Sequence, residues 1–192
     1  GIVALSLLWT GCDECGAEAK RTYDYSFENG TAPYVPYAVG DSFYMVDSLG
    51  NSLTYAIMSS EILPEEAQCD CCPLERMDKL YLRANKNSMA DGLVINLLQE
   101  GEENVRTGVS LRVALEGSNF DLAVDSGITA SGISPTTFTS HNSMSIGSHT
   151  FLNVFELHNA MTDSTKANVI WYNLQNGLLR FKKVNGEVWS LP

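Results

Sequence analysis

Positive charge is scarce in this sequence. Lys and Arg number 12 against 23 Asp and Glu in 192 residues, a formal net charge of −11. A surface of that sign repels phosphate backbones, so nucleic acid is a poor partner, and it is repelled by anionic lipid headgroups as well. Histidine is scarcer still, with 3 in the chain. His141, His149 and His158 never fall as His-x-His or His-x-x-x-His, so no local metal pair exists. No Gly-x-Ser-x-Gly elbow is present to expose a nucleophile on a strand-to-helix turn. No cofactor-binding motif, internal repeat or low-complexity segment stands out. Beyond the N-terminus no apolar run approaches the ~20 residues that a spanning helix needs.

What is there begins at the N-terminus. Residues 1–10 read GIVALSLLWT, without a charge, and Asp13 and Glu14 follow Cys12 at once. The run is too short to cross a bilayer and fits the apolar segment of a signal peptide. Trp9-Thr10-Gly11-Cys12 resembles a bacterial lipobox, with Trp9 where Leu is usual. The resemblance implies cleavage after Gly11 and lipidation of Cys12. Gly1 stands where an initiator Met would, so residues 1–11 are expected to be a truncated signal peptide. An acyl chain would be the membrane link, several being needed for firm anchoring. Acidic residues directly after the lipidated cysteine resemble the export signal of Bacteroidota surface lipoproteins.

Five cysteines occur, Cys12, Cys15, Cys69, Cys71 and Cys72. With Cys12 lipidated, the remaining four suggest disulfides in an exported protein. One pairing joins the neighbours Cys71 and Cys72 and strains the peptide between them. The other two link Cys15 to Cys71 or Cys72 and close Cys69 with the remaining one. Residues 12–36 read as the lipidated cysteine and a flexible tether, since no apolar period persists there.

From residue 37 onward the texture is that of one β domain, 37–192. Apolar runs at 43–46 and 53–57 flank Gly50-Asn51, a hairpin signal. Residues 59–78 carry six acids against Arg76 alone and read as a solvated loop with one helical turn after Pro64. Strands are expected at 79–84, 93–99, 109–115, 120–124 and 136–140. Val109, Leu111, Val113 and Leu115 alternate with Ser110, Arg112 and Ala114, the period of a half-buried strand. Within 150–157, Phe151, Asn153, Phe155 and Leu157 fall on one face. Strands at 168–172, 178–183 and 188–191 are separated by Asn176-Gly177 and Asn185-Gly186. The fold class is therefore all-β, an antiparallel sandwich or barrel-like domain with little helix. The tail WYNLQNGLLRFKKVNGEVWSL, preceded by IGSHTFLNVFELHN, resembles the end of many small Bacteroidota lipoproteins of unknown function. That likeness implies fold and compartment and carries no catalytic residue.

Several motifs hold chemistry on paper. Asp125-Ser126-Gly127 between apolar residues resembles the active-site loop of retropepsin-type aspartic peptidases. Such chemistry needs two aspartates sharing a proton, so a homodimer would supply the second. The same residues are ordinary turn formers. A triad could be drawn from Ser126 or Ser143, His141 or His149 and an Asp. The three histidines with Cys69, Cys71 and Cys72 could form a mixed zinc site, if the thiols are reduced. Cys69-Asp70-Cys71-Cys72 also satisfies Cys-x-x-Cys, but the surrounding acids raise a thiol pKa rather than lower it. Asp47-Ser48-Leu49 and Asp163-Ser164-Thr165 resemble the Bacteroidota O-glycosylation motif, which implies sugar on Ser48 and Ser164. Trp171, Tyr172, Phe181 and Trp189 either line a ligand cleft or form core, the latter being commoner.

The expectation is a lipid-anchored envelope protein, at the outer membrane and facing periplasm or surface, that acts by binding a glycan, an apolar ligand or another envelope protein. A homodimeric aspartic peptidase using Asp125 and a barrel-type carrier of apolar ligands are the alternatives. No cofactor and no metal are expected.

Overall fold

A computed structural model of the chain describes residues 22–27, 34–67, 74–87, 89–102, 105–125, 130–133 and 135–192. Every regular element among them is a strand. They run β1 (Thr22–Tyr25), β2 (Ser42–Asp47), β3 (Ser52–Ala67), β4 (Leu74–Lys86), β5 (Met89–Glu102), β6 (Val105–Leu115) and β7 (Ser118–Asp125). Then follow β8 (Ala130–Gly132), β9 (Thr137–Ile146), β10 (His149–His158), β11 (Ala167–Asn173), β12 (Gly177–Lys183) and β13 (Val188–Ser190). The all-β antiparallel expectation holds, and the arrangement is a half-barrel.

Two meanders, β2–β8 and β9–β13, are stitched into one sheet where β13 pairs with β2. Along this path every neighbour pair is antiparallel; β1 alone pairs in parallel, with β4. The turns use the chemistry that tight hairpins demand: Gly50, Gly177 and Gly186 have φ of +83°, +77° and +92°. Period-two alternation then sorts the side chains. In β6, Val109, Leu111, Val113 and Leu115 are buried while Arg112 is exposed.

One cluster of buried side chains draws on both meanders, from Tyr55 and Leu82 through Phe120 to Leu157, Tyr172 and Phe181. A single sheet can bury one common face only by curling round it. Two hydrogen bonds tie the curl. Ser118 Oγ donates to Ala167 O at 2.6 Å, and Asn159 Nδ2 donates to Asn119 O at 2.6 Å. A smaller cluster, Ile146, Val154 and Leu179 with Trp171 and Leu191 against it, lies apart from this core.

The strands expected from 43 to 190 are all present, and three corrections follow. Residues 59–67 and 74–78 are strand rather than loop: β3 and β4 pair from Tyr55↔Lys86 out to Ala67↔Glu75, with Pro64 opposite Asp78. Residues 61–66 are exposed at every position, so no apolar alternation marked the strand. Residues 22–27, read as tether, belong to the folded body. Tyr25 and Phe27 are buried, and Phe27 N–H donates to Asp78 Oδ2 at 2.8 Å. Tyr34 and Val35 also pack against the core, so the domain begins before residue 37. Finally, the alternation expected across 150–157 breaks at Asn153 (φ +52°): Phe155 and Leu157 enter the main core, whereas Phe151 joins the smaller cluster.

Candidate functional site

The outer face of β3–β7 is built by register. Directly opposed residues of antiparallel strands share a face. Glu61 pairs with Tyr81, Tyr81 with Asn96, Asn96 with Arg112 and Arg112 with Asp121. These five side chains form one transverse row across five strands, a span of about 19 Å at ~4.8 Å per strand. Arg83, Val94, Ala114 and Asn119 make the next row, and Lys79, Leu98, Ser110 and Ala123 the row on the other side. The intervening residues, among them Leu80, Leu82, Ile95, Leu97, Leu111 and Phe120, fill the core. Burial of that set forces the polar set outward.

Short contacts fix the row. Arg112 Nε donates to Asp121 Oδ1 at 2.6 Å, and the Asp121 backbone N–H donates to Thr136 Oγ1 at 3.0 Å. Lys79 Nζ lies 3.2 Å from Glu65 Oε2, and Ser110 Oγ donates to Glu100. The Arg83 guanidinium stands 6.0 Å from the Tyr81 ring centre, at the outer limit of a cation–π contact. Small residues between these long ones leave two open concavities. One of about 330 Å³ is lined by Tyr81, Arg83, Val94, Ala114, Glu116 and Asn119. The other, of about 250 Å³, is lined by Lys79, Asn96, Leu98, Ser110, Arg112 and Asp121. In the second, Asn96 Oδ1 is buried with no hydrogen-bond partner among the described residues.

A second polar cluster gathers on β9 and β10. His141 Nε2 and His158 Nε2 each lie 2.8 Å from Glu156, one on each carboxylate oxygen. His141 is opposite Val154, one step diagonal to Glu156, and Trp171 is directly opposite Glu156. Burial pushes the Glu156 carboxyl up, but hydrogen bonds from His141, His158 and Trp171, with the charge of His158, bring it below its ordinary range. A carboxylate with a lowered pKa contributes stability above the usual glutamate range, and that contribution is lost as pH falls through the folded-state value. Glu156→Gln is therefore expected to lower stability at neutral pH, by less than ~1 kcal/mol for such part-exposed pairs. The difference should vanish on acidification below the usual glutamate range. Melting temperatures of both proteins across pH 3–8 (roughly the range in which carboxylates and imidazoles titrate) check this, and a pH-independent gap would contradict it. No group of three or more His, Cys, Asp or Glu among the described residues is placed to hold a metal ion.

The remaining candidates disperse. Asp125 ends β7, exposed and opposite Gly108, while Ser126 and Gly127 lie outside the described residues. Cys12, Cys15, Cys69, Cys71 and Cys72 also lie outside them. His149 starts β10 opposite Ile146, apart from His141 and His158. Ser143 is exposed on β9, two residues beyond His141, whose imidazole Nε2 is bonded to Glu156. Ser48 and Ser164 occupy exposed turns of one design. Asp47 Oδ1 accepts the N–H groups of Leu49 and Asn51, and Asp163 Oδ1 accepts the N–H and hydroxyl of Thr165. Of the four tail aromatics, Tyr172, Phe181 and Trp189 are core, whereas Trp171 faces Glu156 and Arg180.

No known protein family, curated protein or solved structure matches this chain. The functional reading therefore rests on residues and geometry. The transverse row and the His–Glu–His cluster both escaped the sequence. The row reaches from Glu61 to Asp121 and the cluster from His141 to His158, and strand register is what brings their members together.

Proposed function

We propose that this chain is a lipid-anchored cell-envelope protein, held to the outer membrane through Cys12, that acts as a binding module. The lipobox-like Trp9-Thr10-Gly11-Cys12 and the acids after it support the anchor. One observation carries the binding reading. The outer face of β3–β7 presents polar and aromatic side chains over two concavities while the same strands bury the core behind them. A rigid sheet that positions side chains at fixed spacing is the scaffold such recognition requires. Large side chains, Tyr55, Phe120, Tyr172 and Phe181, occupy the concave side. Support therefore falls on the outer surface rather than on an internal chamber for an apolar cargo.

Metabolic labelling tests the anchor. In cells exporting the chain, a fatty-acid probe is expected to tag wild type and to leave Cys12→Ala untagged, with the variant moving from the membrane to the soluble fraction. Equal labelling of the two refutes the anchor.

A further inference from the structure

The geometry points to a ligand class for the outer face of β3–β7: a neutral oligosaccharide, lying across the strands along the row Glu61–Tyr81–Asn96–Arg112–Asp121. This rests on the binding reading above and is independent of the lipid anchor.

Hydrogen-bond chemistry favours a sugar. A sugar hydroxyl both donates and accepts. The row offers an exposed acceptor at Glu61, a largely buried one at Asp121, a donor at Arg112 and an amide at Asn96. The Arg112–Asp121 pair holds two of these groups in place at 2.6 Å, so little ordering remains to be lost when a ligand arrives. Asn96 Oδ1, buried in the middle of the row, has no partner among the described residues. A buried acceptor without a donor costs roughly 1–3 kcal/mol. Asn96 lines the adjacent concavity, and a turn of its amide toward that space would let a ligand hydroxyl donate to the oxygen and remove that cost.

Shape agrees. Tyr81, with Val94 and Ala114 beside it, lines the larger concavity. An aromatic ring beside small apolar residues suits the C–H face of a pyranose, and the polar groups around it, Arg83 among them, suit the rim. Charge points the same way. The face's ion pairs, Arg112–Asp121 and Lys79–Glu65, are internally neutralised. A polyanion gains little from neutralised pairs and is also repelled by the −11 of the whole chain. A hydroxyl-rich neutral polymer meets neither objection.

Native affinity electrophoresis of the full chain tests the inference, with starch, yeast mannan, xyloglucan or mixed-linkage β-glucan cast in the gel and heparin as the polyanion. Retardation is expected in at least one neutral polysaccharide. Tyr81→Ala and Asn96→Ala should each weaken it about tenfold, the loss of one good contact. Tyr81→Phe, which keeps the ring, should stay close to wild type. Circular dichroism and melting of each variant separate a lost contact from a lost fold. Retardation by none of the neutral polymers, or by heparin alone, overturns the inference. So does wild-type retardation of the folded Tyr81→Ala and Asn96→Ala variants. A failed gel with Cys12-dependent labelling leaves the anchor standing, and the reverse result removes the anchor while leaving the ligand.

Discussion

Gly177→Ala is expected to destabilise the fold by about 3–5 kcal/mol. Gly177 opens β12 with φ +77°, a conformation that costs a residue with Cβ roughly 1–2 kcal/mol. Space is the larger obstacle. A Cβ built there would lie 2.1 Å from Tyr37 Oη and 2.4 Å from its ring carbon Cζ. Tyr37 has no easy retreat. Its ring stacks on Phe43 at 5.2 Å, Phe43 stacks on Tyr55 at 5.1 Å, and its oxygen accepts the Leu178 N–H at 2.7 Å. Burial raises the phenol's pKa despite that hydrogen bond, so the group stays neutral. Displacing it would break an aromatic stack and orphan a backbone donor together. Urea denaturation of Gly177→Ala, Tyr37→Ala and the double variant is the check. With the ring gone, the glycine substitution should cost only its φ strain, so the two effects should be strongly non-additive. Additive losses would show that Tyr37 does not wedge against this turn.

The same turn shows what was legible. Asn176-Gly177 between two apolar runs is a hairpin signal because few residues other than glycine adopt that φ cheaply. Gly50 and Gly186 were equally readable, as was β6, where buried Val109, Leu111, Val113 and Leu115 alternate with half-buried Ser110 and Ala114 and exposed Arg112. What escaped lacks these local marks. The distal half of the β3–β4 hairpin is exposed on both faces at 61–66, so Glu61, Glu65 and Glu66 read as a solvated loop although each sits in a ladder. The ion pairs Glu66–Arg76 and Glu65–Lys79 cross that ladder, yet partners 10 and 14 residues apart leave no trace in sequence. Nor does the candidate site. Tyr81, Asn96, Arg112 and Asp121 each look like the outward residue of an ordinary alternating strand. Their alignment is a property of three registers taken together. A slip of one residue in any of them would send part of the row into the core.

That dependence links fold to function. Core burial fixes register, because Leu82, Ile95, Val113 and Phe120 must all face inward. Register in turn fixes which polar groups meet on the other side. The outer row is thus held by the hydrophobic face behind it, and residues never touched by a ligand decide its spacing.

The second large effect concerns the start of the domain. Tyr25→Ala is expected to cost about 3–5 kcal/mol, as for other large buried aromatics cut back to Ala. Were residues 22–27 a tether, the same change would fall within about 0.5 kcal/mol, as exposed substitutions do. The difference rests on packing. β1 pairs in parallel with Leu74–Met77, the stretch of β4 that lies beyond its ladder with β5. This places Tyr25, fully buried, over Gly101. A Cβ at Gly101 would come within 2.0 Å of the Tyr25 ring, so the ring fills space that only glycine leaves free. Gly101→Ala should therefore reproduce much of the loss by pushing the ring out, and combined with Tyr25→Ala it should add little. Equilibrium denaturation of the three variants decides the matter. A Tyr25→Ala loss below about 0.5 kcal/mol would return 22–27 to the tether and expose the β4 edge that β1 now covers.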